Sequence, residues 1–226
     1  MRALGFTKID FIKTRQQLLF IPVYLIFVSF IMGNPKSQAD TFNTVTVFLY
    51  MVFITIVFST TPFGTCQRQE NGFLLLLPAT TWDRVLGRFL YGLSLMAIAV
   101  ACGIVGAVYY RMAGYGFSGI DMSVCLIGFA VGIVIMAVEY VFMYLFGEKW
   151  GQNLLAIIRI IPGMSFFFAT MNVSKEIFVE PDGMQQIIEN ISGKLAVAGW
   201  ISVAVAVAIF VGAMILCAKV TQKRDN

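Results

Sequence analysis

Two residues of opposite charge lie inside long apolar runs, and they are the leading candidates for chemistry on this chain. Glu139 lies seven residues before the end of one run, and Arg159 lies six residues after the start of the next. If both runs are helical, each residue would lie roughly 10 Å from the same end of its helix. Two interpretations follow, since charges in apolar spans are often functional. The residues form a structural ion pair between neighbouring helices, or they form a polar element of a path through the interior.

Residue types that support catalysis or metal binding are scarce. The chain contains no histidine, which removes the commonest general base and metal ligand. The acidic residues are not clustered at a spacing that suits a metal. Without C-x-x-C spacing, the four cysteines are interpreted as packing residues; they are Cys66, Cys102, Cys125 and Cys217. We therefore predict no catalytic residue and no metal site, which disfavours a membrane-embedded enzyme.

The composition predicts an all-α polytopic membrane protein. Hydrophobic residues make up 59% of the chain, charged residues only 12%, and the mean hydropathy is +0.84. Soluble domains carry about 25% charged residues. The apolar runs are long and unbroken, whereas the strands of a membrane barrel alternate apolar and polar residues, so helices are favoured. The net charge of +4 is small, so membrane lipid rather than nucleic acid is the expected surrounding.

Six apolar runs have the length of a membrane span, about 20 residues each. The predicted spans are residues 18–33, 41–61, 89–110, 122–146, 153–171 and 195–218. Residues 1–17 precede them as a basic segment. Its apolar side chains Phe6, Ile9, Ile12 and Leu19 share one helical stripe. An interfacial helix on the inner leaflet and an ordinary basic anchor before the first span both fit this pattern.

The distribution of basic residues predicts the orientation. Eleven of the sixteen Lys and Arg residues fall on one side: Arg2, Lys8, Lys13, Arg15, Arg68, Arg84, Arg88, Lys149, Lys219, Lys223 and Arg224. The opposite side receives Lys36, Arg111, Lys175 and Lys194, and Arg159 lies within a span. Because basic residues concentrate in cytoplasmic connections, we expect both termini in the cytoplasm of a multi-pass protein of the cell membrane.

The connection between the fifth and sixth predicted spans, residues 172–194, contains an amphipathic pattern on the outer side. Apolar residues recur at helical spacing at Met184, Ile187, Ile188 and Ile191. The pattern predicts an outer helix that begins at Pro181 and ends near Gly193, before the last span.

Within the fifth span, Pro162 and Gly163 predict a kink, because proline removes a backbone hydrogen bond and glycine weakens the helix.

Small residues recur along two of the predicted spans. Gly128 and Gly132 are separated by three residues in the fourth span, and Ala99, Gly103 and Ala107 form a stripe in the third. Small residues let helices approach closely. We expect these stripes to serve packing within the bundle rather than contacts between subunits.

The connection between the second and third spans, residues 62–88, has an unusual order of segments. A break at Pro62-Phe63-Gly64 is followed by a polar turn that ends at Gly72, then by four leucines, Leu74 to Leu77, and Pro78. Thr80-x-x-Asp83 then suits the start of a new helix. A solvated linker would not need the leucines, so we expect them to be buried against the membrane or another protein.

This arrangement resembles the permease subunits of type-2 ABC exporters, in the branch with six spans. Their second and third spans are joined by Glu-x-Gly, leucines, a Leu-Pro-small-Ser/Thr turn, then Arg and a Gly-Arg/Lys pair. The matching residues are Glu70, Gly72, Leu77, Pro78, Ala79, Thr80, Arg84, Gly87 and Arg88. The family often has an acidic residue directly before the glutamate, where this chain has Gln69. The resemblance extends over nearly the whole chain.

The resemblance implies a permease that pairs with a second permease copy, identical or different, and with cytoplasmic ATP-binding cassette subunits. ATP and Mg would be bound by those partners, because this chain lacks the G-x-x-x-x-G-K-[ST] loop of an ATPase. The turn formed by Arg68, Glu70, Asn71 and Gly72 would couple to the ATPase. The sequence favours an amphipathic or lipid-like cargo, such as a small peptide. A channel, or a sensor or assembly subunit without an ATPase partner, is the alternative.

Overall fold

The computed structural model describes a helical protein with no strand among the described residues. The described residues are 2–15, 19, 52, 56, 58–65, 80–112, 122–123, 125–147, 150–151, 155 and 181–225. Its helices are α1 (Arg2–Lys13), α2 (Thr61–Thr65), α3 (Thr81–Met112), α4 (Cys125–Gly147) and α5 (Pro181–Asp225). The all-α prediction is confirmed for this part of the chain.

Three of these helices are long and apolar enough to cross a membrane. The qualifying segments are Thr81–Val105, Cys125–Gly147 and Lys194–Lys223. They contain most of the predicted third, fourth and sixth spans. Almost all of the first and fifth predicted spans, and most of the second, lie outside the described residues, as does the predicted kink at Pro162 and Gly163. The six-span layout therefore stays a prediction.

Helix α3 begins at the predicted cap. The backbone N–H and the hydroxyl of Thr80 donate to Asp83 Oδ2 at 3.2 and 2.8 Å, and the N–H of Asp83 donates back to Thr80 Oγ1 at 3.2 Å. This reciprocal pair satisfies backbone donors that the first turn of a helix leaves without partners. The cap fixes where the connection from the second span ends and the rigid third helix begins.

The structure corrects the predicted break at Pro62. A turn lies at Thr60, where the N–H of Phe63 donates to the Thr60 carbonyl at 3.0 Å, and Pro62 lies within the one-turn helix α2. Proline is compatible with the first turn of a helix, because the N–H that it lacks has no partner there. The bend therefore precedes Pro62, and α2 leads into the connection as a structured turn.

The structure also corrects the predicted end of the outer helix near Gly193. Helix α5 is continuous over 45 residues, about 67 Å at 1.5 Å per residue, so the outer helix and the last span are one element. A glycine inside a helix costs only about 1 kcal/mol relative to alanine. It ends a helix when its backbone turns left-handed, which Gly147 shows at the end of α4 with φ of 71°.

The chain turns back tightly after α4. Gly151 is buried, and a Cβ placed on it would lie 2.7 Å from Met143 Sδ and 3.4 Å from Met143 Cα. Gly151 therefore packs against the last turns of α4. Leu155, at the start of the predicted fifth span, is also buried in the core.

Two of these small residues, Gly132 and Ala99, pack within the bundle. A Cβ on Gly132 would collide with Val52 Cγ1 and lie 3.6 Å from Ile56 Cδ1, both in the predicted second span. Ala99 is buried in α3. Close helix approach inside the chain is confirmed for Gly132.

Candidate functional site

Helix α1 is attached to α3 by small and polar side chains. The buried residues of α1 and the residue after it recur at helical spacing: Ala3, Thr7, Asp10 and Thr14. The hydroxyl of Thr7 donates to the Gly87 carbonyl at 3.0 Å. The hydroxyl of Tyr91 donates to Thr14 Oγ1 at 2.9 Å, and the Tyr91 ring meets Phe11 edge-on at 4.9 Å between centroids. Of the predicted apolar stripe, Ile12 and Leu19 are exposed, whereas Phe6 and Ile9 are half-buried. Only part of the stripe therefore faces the protein.

The side chain of Arg88 joins three of the helices near the start of α3. Its Nε lies 3.9 Å from Asp10 Oδ2 on α1. Its guanidinium carbon lies 4.3 Å above the ring centroid of Phe63 on α2. A guanidinium over an aromatic face is attracted by the ring quadrupole. We call Asp10, Phe63, Arg88 and Tyr140 the Arg88 junction.

Tyr140 connects the junction to α4. Its hydroxyl donates to the Ser59 carbonyl at 3.0 Å and lies 3.3 Å from the Arg88 carbonyl. Those carbonyls lie at the end of the second span and at the start of the third. Tyr140 is fully buried, so this hydroxyl supplies a donor where water is excluded.

Aromatic rings extend the junction to α5. The ring of Tyr140 meets Phe63 at 5.3 Å and Phe89 at 4.9 Å, and Phe89 meets Phe210 of α5 at 4.9 Å. Tyr144 adds a contact to Phe63 at 5.4 Å. Edge-to-face pairs of this kind are worth about 0.5–1.5 kcal/mol each beyond their burial. All five described helices therefore meet around residues 88–91 of α3.

Asp10 is the buried acidic residue of this junction. Its side chain is 5% exposed, and Oδ2 has no hydrogen-bond partner among the described residues. Burial raises the pKa of Asp10 above its ordinary value of 3.8, although nearby Arg88 and Lys13 act in the opposite direction. Desolvation wins because the ion pair with Arg88 is long and makes no hydrogen bond to Oδ2.

We expect the packing of α1 on α3 to weaken as pH rises. A raised pKa in the folded state means that protonated Asp10 favours the packed form. This stabilisation is fully present below about pH 4, the unfolded value, and is lost as pH rises through the folded-state pKa. Hydrogen exchange of α1 amides, corrected for intrinsic rates, should show less protection at pH 8 than at pH 4. Asp10→Asn should remove the pH dependence, and protection that rises with pH would contradict the assignment.

The family comparison covers the helices of the Arg88 junction. The family described as ABC-2 family transporter protein matches residues 6–221. The chain belongs to this family. No curated protein matches the chain. The match runs from Phe6 in α1 to Thr221 in the last turns of α5, and the chain is a multi-pass membrane permease of an ABC transporter.

Of the site residues predicted for this ABC-2 permease, the structure describes Glu139. Glu139 is fully buried on α4, beside Tyr140 in sequence. Its predicted partner Arg159 lies outside the described residues, as do the residues predicted to couple to the ATPase, Arg68, Glu70, Asn71 and Gly72. Among the described residues, no group of three or more His, Cys, Asp or Glu side chains is placed to hold a metal.

The structure nevertheless describes the residues on both sides of connection 66–79, which contains the residues predicted to couple to the ATPase. Helix α2 precedes residues 66–79, and the Thr80 cap follows them. Phe63 anchors the first end and Arg88 lies two turns beyond the second. The stacking of Arg88 on Phe63 joins these ends directly. A displacement of the connection would therefore reach α1, α4 and α5 through packed groups.

Sequence reasoning missed Asp10. In the sequence, Arg88 contributes to the orientation signal and to the family motif, but no local pattern predicts an acidic partner for it. One signal was present: Asp10 is the only acid in residues 1–39, and it falls on a stripe with Ala3, Thr7 and Thr14. A lone acid among small and polar residues at helical spacing indicates a face that packs on protein rather than on lipid.

Proposed function

We propose that this permease is the transmembrane subunit of an ATP-driven exporter that moves an amphipathic or lipid-like cargo, such as a small peptide, out across the membrane. It pairs with a second permease copy and with cytoplasmic ATP-binding cassette subunits, which bind ATP and Mg. The observation that carries the proposal is the Arg88 junction, which ties both ends of the 66–79 connection to the helical bundle in a chain of the ABC-2 family.

The junction supports a mechanical role for this connection. A buried cation–π contact, a buried hydroxyl shared between two carbonyls and four edge-to-face aromatic pairs hold α2 and the start of α3 together. Packed interiors transmit displacement because they are as dense as molecular crystals. A push by the closing ATPase on the turn at Arg68 and Glu70 would move α2 and α3 as one unit, and the bundle with them.

The cargo proposal has a compositional basis. The chain contains 21 Phe and 12 Met residues, and Met and aromatic side chains adapt to apolar ligands of varied shape. Few fixed charges lie in the predicted spans. A strongly charged cargo would find few partners there, whereas an amphipathic molecule could enter from the inner leaflet.

We predict that Glu70→Ala uncouples the transporter without unfolding it. A single exposed charge changes stability by no more than about 0.5 kcal/mol, so expression and membrane insertion should be normal. Substrate-stimulated ATP hydrolysis, or binding of the ATPase partner, should fall. Arg68→Ala is the companion variant. Normal stimulation and normal association in both variants would leave the turn as a solvated loop.

We predict that both termini lie in the cytoplasm, because basic residues are concentrated on that side. Single cysteines introduced at positions 36, 68 and 182 of a cysteine-free variant can be labelled with an impermeant reagent in intact cells. Positions 36 and 182 should react and position 68 should not. A protected position 182 would overturn the topology.

Affinity purification separates the permease from a channel. Full-length protein extracted in mild detergent from its native membrane should bring down a protein that carries the phosphate-binding loop of an ATPase. The matched control is the Arg68→Ala/Glu70→Ala variant, which should recover less of it. Purification of the chain without any ATP-binding protein would favour the channel or the sensor subunit.

A further inference from the structure

Helix α1 presents an outer surface that mixes apolar and basic residues. Leu4 is 64% exposed, Ile12 is 63% exposed, and Leu19, beyond the end of the helix, is 65% exposed. Lys8 and Arg15 are exposed between them. Leu4, Lys8 and Ile12 recur at intervals of four residues, so they share one face of α1, and Arg15 and Leu19 continue the same spacing beyond its end. We call this face the outer α1 surface.

The charge on this surface is of one sign. The only acid in residues 2–15 is Asp10, which is buried on the opposite face beside Arg88. Lys8 and Arg15 are separated by about two helical turns, or roughly 10 Å. Two cations flanked by large apolar side chains match a surface that is anionic on the outside and apolar just beneath.

The level of α1 along α3 fits such a surface. Its contacts fall at Gly87 and Tyr91, between the exposed residues Trp82 and Leu93. Trp150 is also exposed, just after the end of the antiparallel neighbour α4. Tryptophan is enriched where a membrane meets water. If Trp82 and Trp150 mark the boundary between membrane and water, α1 lies at the level of the lipid headgroups and its outer surface faces lipid.

We propose that the outer α1 surface binds anionic phospholipid. Leu4, Ile12 and Leu19 enter the boundary between headgroups and acyl chains, and Lys8 and Arg15 bind lipid phosphates. An ion pair with lipid on this face and the Asp10–Arg88 contact on the other fix the rotation of α1. Lipid binding at this surface requires neither the cargo nor ATP hydrolysis.

Native mass spectrometry of the purified full-length protein tests this proposal. The protein is titrated with phosphatidylglycerol or with phosphatidylcholine, and the lipid retained is counted. Each basic residue near an anionic surface contributes about 1 kcal/mol, or about fivefold in affinity. Lys8→Gln/Arg15→Gln should therefore weaken phosphatidylglycerol binding by about 25-fold, and Lys8→Arg/Arg15→Lys should retain it. Lys219→Gln/Lys223→Gln, which removes two exposed cations from the end of α5, is the matched control and should retain most of the binding.

A photo-crosslinking residue at position 12 identifies the occupant of the surface. In vesicles of phosphatidylglycerol it should react with lipid. Reaction with the ATP-binding partner or another protein instead would overturn the proposal, as would equal binding of the two lipids or an unchanged preference in Lys8→Gln/Arg15→Gln. All of these results are read without ATP hydrolysis, so the lipid site and the exporter function fail separately.

Discussion

Gly87→Ala should displace α1 and lower the stability of the protein by about 1–3 kcal/mol, as overpacking does in dense interiors. A Cβ at this position would lie 2.6 Å from Phe6 Cβ and 2.9 Å from the Ala3 carbonyl oxygen. Neither atom is at the end of a flexible side chain, so relief requires α1 to move. That movement breaks the hydrogen bond from Thr7 to the Gly87 carbonyl and opens the Asp10–Arg88 contact.

Gly5→Ala is the matched control, because it makes the same substitution on an open surface of α1, the other helix of this interface. A Cβ on Gly5 has no atom within 4 Å. It should be neutral or stabilise α1 by up to about 1 kcal/mol, from helix propensity. Thermal unfolding in detergent, with hydrogen exchange of the α1 amides, measures both variants. A Gly87→Ala protein as stable as Gly5→Ala would contradict the close packing of α1 on α3.

Glu139→Gln should be more harmful alone than in combination with Arg159→Gln. Glu139 is fully buried in an apolar helix, and Arg159 is predicted from the sequence to lie at a similar depth in the fifth span. If the two charges pair, loss of one leaves the other in an apolar span, at about 2.5–3.5 kcal/mol on insertion scales. The double substitution removes both charges and should recover much of that loss.

A double-mutant cycle on unfolding free energies measures this coupling. Glu139→Gln, Arg159→Gln and the double variant are compared with the parent protein in the same detergent. A coupling energy of more than about 1 kcal/mol supports the pair. Additive losses would show that each residue has its own partner, and the polar-path interpretation would then be the stronger one. Transport by the stable double variant distinguishes a structural pair from a transport element.

Features governed by neighbouring residues could be predicted from the sequence. The Thr80–Asp83 cap depends on four consecutive positions, and the structure has its hydrogen bonds. The described spans follow from unbroken apolar runs, because the bilayer requires helices of that length.

Features that depend on which helices meet could not be predicted in this way. Asp10 and Arg88 are far apart in the chain, and the residues around each of them do not predict that the two side chains meet. The continuity of α5 through Gly193 and the helical Pro62 show a second limit. Glycine and proline are weak signals of an end, because the surrounding helix can absorb them where the backbone needs no special conformation.

ATP hydrolysis in proteoliposomes tests the central claim most directly. The ATP-binding partner is reconstituted with this permease or without it, and hydrolysis is measured across a panel of amphipathic peptides and lipids. We predict that the permease makes hydrolysis responsive to at least one of these compounds, and that Glu70→Ala abolishes the response while the complex stays assembled. Hydrolysis that is the same with and without the permease, for every compound, would contradict a role in ATP-driven export.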